Sequence, residues 1–98
     1  MIYCFDLDGT LCTNTNGKYE LAKPFIERIE IVNELHKNGN KIIINTARGS
    51  TTKIDWYKFT EKQLISWGLN YNELYVGEKI EADIFIDDKA ISDKDFFN

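Results

Sequence analysis

Ile2 to Phe5 is a short, wholly apolar run that stops at two acids, Asp6 and Asp8. A run apolar on both faces of the pleat fits a strand buried in a parallel sheet, with the acids emerging at its carboxyl end. Residues 9–20 are rich in Gly, Thr and Asn and predict a turn or small flap. Pro24 suits a first helical position. Phe25, Ile29, Val32 and Leu35 then recur at helical spacing until Gly39 closes the segment, which predicts an amphipathic helix. Lys41 to Thr46 holds the apolar triplet Ile42-Ile43-Ile44 and again ends in polar residues, Asn45, Thr46 and Arg48. From about Asp55 to Gly68, Trp56, Thr60, Gln63 and Trp67 fall on one stripe with Leu64 beside it, predicting a second helix. Leu74 to Val76 and Ala82 to Ile86 predict two further strands, the last ending in Asp87-Asp88. The last ten residues predict the start of another helix, with Ser92 or Asp93 as its cap.

Strand, helix, strand, helix, strand, strand is the order of an open, mostly parallel α/β sheet flanked by helices. The chain has 98 residues, which fits one domain spanning 1–98. In such sheets ligands bind outside the carboxyl ends of the strands. Three strands here deliver polar clusters to that edge: Asp6/Asp8, Thr46/Arg48 and Asp87/Asp88.

Composition narrows the class. Hydrophobic residues make up 43% of the chain, which excludes a disordered segment. A formal net charge of −4 provides no positive field for nucleic acid or an anionic membrane surface. Cys4 and Cys12 are eight apart with no second pair, which matches neither a metal knuckle nor a disulfide framework and fits reduced thiols. With no basic leader and no apolar run of membrane-spanning length, the expected location is the cytoplasm, without membrane contact.

Asp6 and Asp8 are two apart, so on a nearly extended chain both side chains face one ligand. Gly9 allows the main chain, with the N–H groups of Gly9 and Thr10, to approach a phosphate closely. Four carboxylates on one edge repel unless a cation lies among them, and oxygen-only ligands favour Mg²⁺. A phosphate monoester also needs positive charge, for which Lys79, eight residues before Asp87, is the candidate. The hydroxyl of Thr46 and the N–H groups of Ala47 and Arg48 complete the expected cradle. His36, on the apolar stripe, reads as a helix-packing residue, Cys12 as a bystander, and Trp56 and Trp67 as core.

These residues carry a resemblance over nearly the whole chain to the haloacid dehalogenase superfamily of phosphohydrolases. Its four motifs resemble Asp6-Leu7-Asp8-Gly9-Thr10, Thr46 after Ile42-Ile43-Ile44-Asn45, Lys79, and Asp87-Asp88, in that order. The resemblance implies a three-layer, Rossmann-like core. It further implies that Asp6 is the nucleophile and a Mg²⁺ ligand, and that Asp8 is the acid and base with its carbonyl on the metal. Thr46 and Lys79 would hold the phosphoryl oxygens. Asp87 would be a direct metal ligand, and Asp88 a ligand through water or an anchor for Lys79. Residues 77–90 resemble small phosphatases found with capsule and surface-polysaccharide biosynthesis enzymes, with Glu78 and Ile80 where those have glycine and proline.

Neither the flap nor the stretch between Gly49 and Val76 has room for a cap domain, so the chain resembles the capless class. Substrate contacts in an open site come from the flap, Arg48 and the loop after it, or a neighbouring subunit in a homo-oligomer. The residues expected at the leaving group are Thr13, Asn14, Arg48 and Trp56 or Tyr57, with an acidic neighbour as the alternative partner for Arg48. The expected substrates are a sugar phosphate, then a small polyol or amino-alcohol phosphate, then a nucleotide monophosphate. Three alternatives remain open: a phosphotransferase or mutase using the same intermediate, a receiver-like phospho-acceptor, and a catalytically silent binding domain.

Overall fold

Apolar runs that alternate with amphipathic segments build a parallel sheet with helices packed on it. The computed structural model describes residues 1–49, 54–77, 84–86 and 93–97. The elements are β1 (Ile2–Asp6), α1 (Ile26–Lys37), β2 (Lys41–Thr46), α2 (Tyr57–Ser66), β3 (Glu73–Val76), β4 (Ile84–Ile86) and α3 (Asp93–Phe97), with one 3₁₀ turn at Tyr19–Leu21. Among the described residues four strands run in the order β3-β2-β1-β4 and every neighbouring pair is parallel. The α/β parallel-sheet class expected from the strand and helix pattern is the class observed.

Register explains which residues form the core. Phe5 sits opposite Ile44 on one side and Ile86 on the other, and Ile44 in turn opposite Leu74. These side chains share a face and pack with Ile29 and Val32 of α1 and Leu64 of α2. Phe96 and Phe97 of α3 join the same cluster, their rings 5.6 and 6.0 Å from that of Phe5. Cys4 and Ile43, on the opposite pleat, are buried as well, as expected for strands apolar on both faces.

The chain passes from β1 to β2 to β3 in one direction and then returns to β4 on the other side of β1. Connections therefore diverge at the carboxyl end of β1, the switch point at which such sheets bind ligands. Asp6 is the last residue of that strand.

Two helix starts differ from expectation. Pro24 is not the first helical residue; it forms a bridge with Cys12, and the Phe25 N–H donates to the Leu11 carbonyl at 2.9 Å. The backbone at 24–25 is used to close the flap, so α1 begins at Ile26. Its end follows the pattern: Gly39 has φ +91°, and the Gly39 and Asn40 N–H groups donate to the His36 and Leu35 carbonyls at 3.1 and 3.2 Å. The second helix begins at Tyr57, two residues after Asp55, whose carboxylate accepts the Tyr57 N–H at 2.9 Å. Ala82 and Ser92, expected in the last strand and as a helix cap, lie outside the described residues. Among the described residues no helix is long and apolar enough to cross a membrane.

Candidate active site

The stretch after β1 folds back on itself within six residues. The Leu7 carbonyl accepts the N–H groups of Thr10, Leu11 and Cys12 at 3.1, 2.9 and 3.3 Å, and the Gly9 N–H donates to the Cys12 carbonyl at 2.9 Å. Leu7, Leu11 and Cys12 are fully buried, so hydrophobic burial and hydrogen bonding hold this turn together. The flap that follows is pinned at its base by Thr13, whose N–H donates to the Lys23 carbonyl and whose hydroxyl accepts the Lys23 N–H, both at 2.9 Å.

Asp8 emerges from the turn facing Arg48, forty positions away. The Arg48 Nε donates to Asp8 Oδ2 at 3.0 Å and Nη2 to Oδ1 at 2.8 Å, a bidentate charge-assisted pair. The Arg48 side chain is 0% exposed and that of Asp8 18%, so solvent screens this pair weakly. The remaining guanidinium nitrogen, Nη1, donates to Thr60 Oγ1 at 3.2 Å and Gln63 Oε1 at 2.8 Å. The Tyr19 ring lies under the guanidinium, 4.5 Å from its Cζ. Thr46 completes the arrangement, its hydroxyl donating to Asp8 Oδ2 at 3.1 Å and accepting the Arg48 N–H at 3.3 Å.

A cavity of about 350 Å³ opens over these groups. Asp6, Asp8, Thr46, Ala47 and Arg48 border it from the sheet edge, and Asn14, Asn16, Gly17 and Tyr19 from the flap. The strand ends thus bring together five of the residues singled out in the sequence. Lys79, Asp87 and Asp88 lie outside the described residues.

Several groups expected at a substrate have partners within the protein. Arg48, expected at the leaving group or on an acidic neighbour, has its guanidinium turned inward to Asp8 and its N–H to Thr46. Gly9 and Thr10 were expected to offer N–H groups to a phosphate. Both N–H groups are instead spent within the turn, and Thr10 is 1% exposed and outside the cavity wall. The Thr46 hydroxyl, expected on a phosphoryl oxygen, donates to Asp8. At the leaving-group position Asn14 lines the cavity and Thr13 does not. Trp56 belongs to an adjoining depression with Gly49, Ile54 and Val76, and its ring meets that of Tyr19 edge-on at 4.9 Å.

Asn16, Gly17, Tyr19, Thr60 and Gln63 are site residues that the sequence reading did not assign. Thr60 and Gln63 carried a signal: two polar residues, three apart, on the buried stripe of a helix require a polar partner. That partner is Arg48.

The donors facing the cavity are hard oxygens. Cys12, the nearby sulfur, has its thiol pushed up to about 12, mainly by burial and next by the Asp8 charge. It stays protonated at neutral pH and donates to Asp8 Oδ1 at 3.6 Å. The Asp6 carboxylate and the oxygen-rich edge suit a hard divalent cation. Among the described residues no group of three or more His, Cys, Asp or Glu side chains comes together around one point.

Comparison with known proteins agrees with this architecture. Residues 3–97 match the family model described as haloacid dehalogenase-like hydrolase. A crystal structure of a target protein from Vibrio cholerae superposes with a TM-score of 0.77 at 28% sequence identity, covering 99% of this chain and 88% of that one. No curated protein matches the chain. With the family match running from β1 through α3, the chain belongs to the haloacid dehalogenase-like hydrolases.

Proposed function

We propose that the chain is a magnesium-dependent phosphatase that hydrolyses a small phosphomonoester through an aspartyl-phosphate on Asp6. The observation that carries this reading is the placement of Asp6 at the switch point, sharing one open cavity with Asp8 and Thr46. A carboxylate at that point meets a phosphorus atom entering from solvent. In the first half-reaction an Asp6 oxygen forms a bond to phosphorus while the bond from phosphorus to the ester oxygen breaks. Asp8 gives its proton to the departing alkoxide. In the second, Asp8 takes a proton from water, the water oxygen bonds to phosphorus, and the Asp6–phosphorus bond breaks to release inorganic phosphate.

The bidentate grip of Arg48 and the Thr46 hydroxyl fix the plane of Asp8 as the carboxylate, the form that takes the proton from water. Asp6, the Asp8 carbonyl, Asp87 and Asp88 are the proposed Mg²⁺ ligands, and Lys79 the proposed cation for the phosphoryl oxygens. When bound, the metal offsets the negative charge of the carboxylates and of the phosphate dianion. Ala47, Asn14 and Asn16 border the space for the phosphoryl group and its substituent.

The same reading extends to a capless, single-domain enzyme, because the described flap and the β2–β3 connection carry one 3₁₀ turn and one helix respectively. A sugar phosphate, of the kind used in surface-polysaccharide synthesis, ranks first as substrate. Phosphate release from a library of phosphomonoesters, with Mg²⁺ and after chelation, tests the proposal. Turnover by the parent enzyme that is lost on chelation and in Asp6→Asn is expected. Equal turnover in Asp6→Asn refutes it.

A further inference from the structure

Gln63 does not line the cavity, yet its two ends join the two parts of the site. Its Oε1 accepts Arg48 Nη1 at 2.8 Å, and its Nε2 donates to the Tyr19 carbonyl at 2.9 Å. The second bond fixes which end of the amide faces the guanidinium, since a flipped amide would set donor against donor at Arg48 and acceptor against acceptor at the Tyr19 carbonyl. Arg48 in turn sits on the Tyr19 ring and clamps Asp8 through Nε and Nη2. One half-buried side chain on α2 therefore ties the flap, the buried arginine and the acid into a continuous set of bonds.

In this orientation each of the three guanidinium nitrogens has an acceptor. Nε and Nη2 face Asp8 only while Nη1 is held on the opposite side by Gln63 and Thr60. Replacing the amide with an apolar group leaves Thr60 alone on that side, at the longer distance of 3.2 Å, and frees the plane to tilt. The Asp8 carboxylate tilts with it.

We infer that Gln63 is a positioning residue for the reaction, holding Asp8 in line with the leaving oxygen through Arg48. The inference rests on the proposed phosphatase reading. Its signature is selective, because an ester whose alcohol leaves poorly depends on protonation by Asp8, whereas p-nitrophenyl phosphate expels a stable anion that depends on it little.

The test compares kcat/KM for an alkyl phosphate with kcat/KM for p-nitrophenyl phosphate in the parent enzyme, Gln63→Leu and Gln63→Glu. The ratio between the two esters cancels losses common to both, including partial unfolding. In Gln63→Leu the ratio is expected to fall about tenfold, the size of effect that a small misplacement of a catalytic group produces. Gln63→Glu keeps an acceptor for Nη1 and is expected to bring the ratio back to within about threefold of the parent. An unchanged ratio in Gln63→Leu, or a Gln63→Glu ratio no better than that of Gln63→Leu, overturns the inference while leaving the phosphatase reading intact. No turnover of either ester by the parent enzyme overturns both.

Discussion

Arg48 follows the second polar strand end, where a cation facing a phosphate is the natural expectation, but its side chain is fully buried and every nitrogen has a partner within the protein. Its charge serves Asp8. Removing it leaves the Asp8 carboxylate four-fifths buried with, among the described residues, Thr46 and the weak Cys12 thiol as donors, and breaking a buried ion pair from one side costs several kcal/mol. Arg48→Ala is therefore expected to lower unfolding stability by about 3 kcal/mol, read from the denaturant midpoint. A loss within experimental scatter would show that the pair contributes little to the fold. At this scale the sequence was informative about Asp6, Asp8 and Thr46, because strand periodicity alone puts them at one edge. An acidic neighbour for Arg48 was legible as an alternative, but not which acid, since Asp8 and Arg48 are forty positions apart and only the β1–β2 register brings them together.

The elements β1, β2 and β3 and the helices between them could be read from apolar runs and helical stripes, since each buries a face that its own residues define. The flap could be read as a turn from its Gly, Thr and Asn content, but its shape could not, because that comes from backbone bonds between turn residues and from Leu7 and Leu11 entering the core. The same bonding removed Pro24 from α1 and took the Gly9 N–H away from any ligand. The turn after β2 is similarly constrained. Gly49 has φ +81°, and a methyl group there would run into the Ile54 carbonyl oxygen and press on the Trp56 ring. Gly49→Ala combines left-handed strain with a backbone clash and is expected to destabilise the protein by about 2–3 kcal/mol. It is also expected to lower turnover more than its stability loss explains, because Arg48 is the preceding residue. Thermal denaturation beside kcat measured well below the midpoint checks both, and a variant as stable and active as the parent contradicts the account of this turn.

On the scale of the whole molecule, the order β3-β2-β1-β4 places the end of β1 where the connections diverge, and the family match covers that entire frame. Among the described residues, the cavity over Asp6 is walled by the strand ends on one side and by the flap on the other. The motif residues lie at the strand ends, whereas the flap residues that border the cavity, such as Asn16 and Tyr19, take positions that follow from the tertiary fold. The central claim is covalent chemistry at Asp6, and it is tested most directly by trapping the intermediate. Asp8→Asn lacks the base for the second half-reaction, while p-nitrophenyl phosphate can still phosphorylate it without an acid. Acid-quenched Asp8→Asn, incubated with p-nitrophenyl phosphate and Mg²⁺ and then mapped by peptide mass spectrometry, is expected to carry one phosphoryl group on Asp6. A phosphoryl group on any other residue, or none on an enzyme whose parent turns over the same ester, would contradict the account.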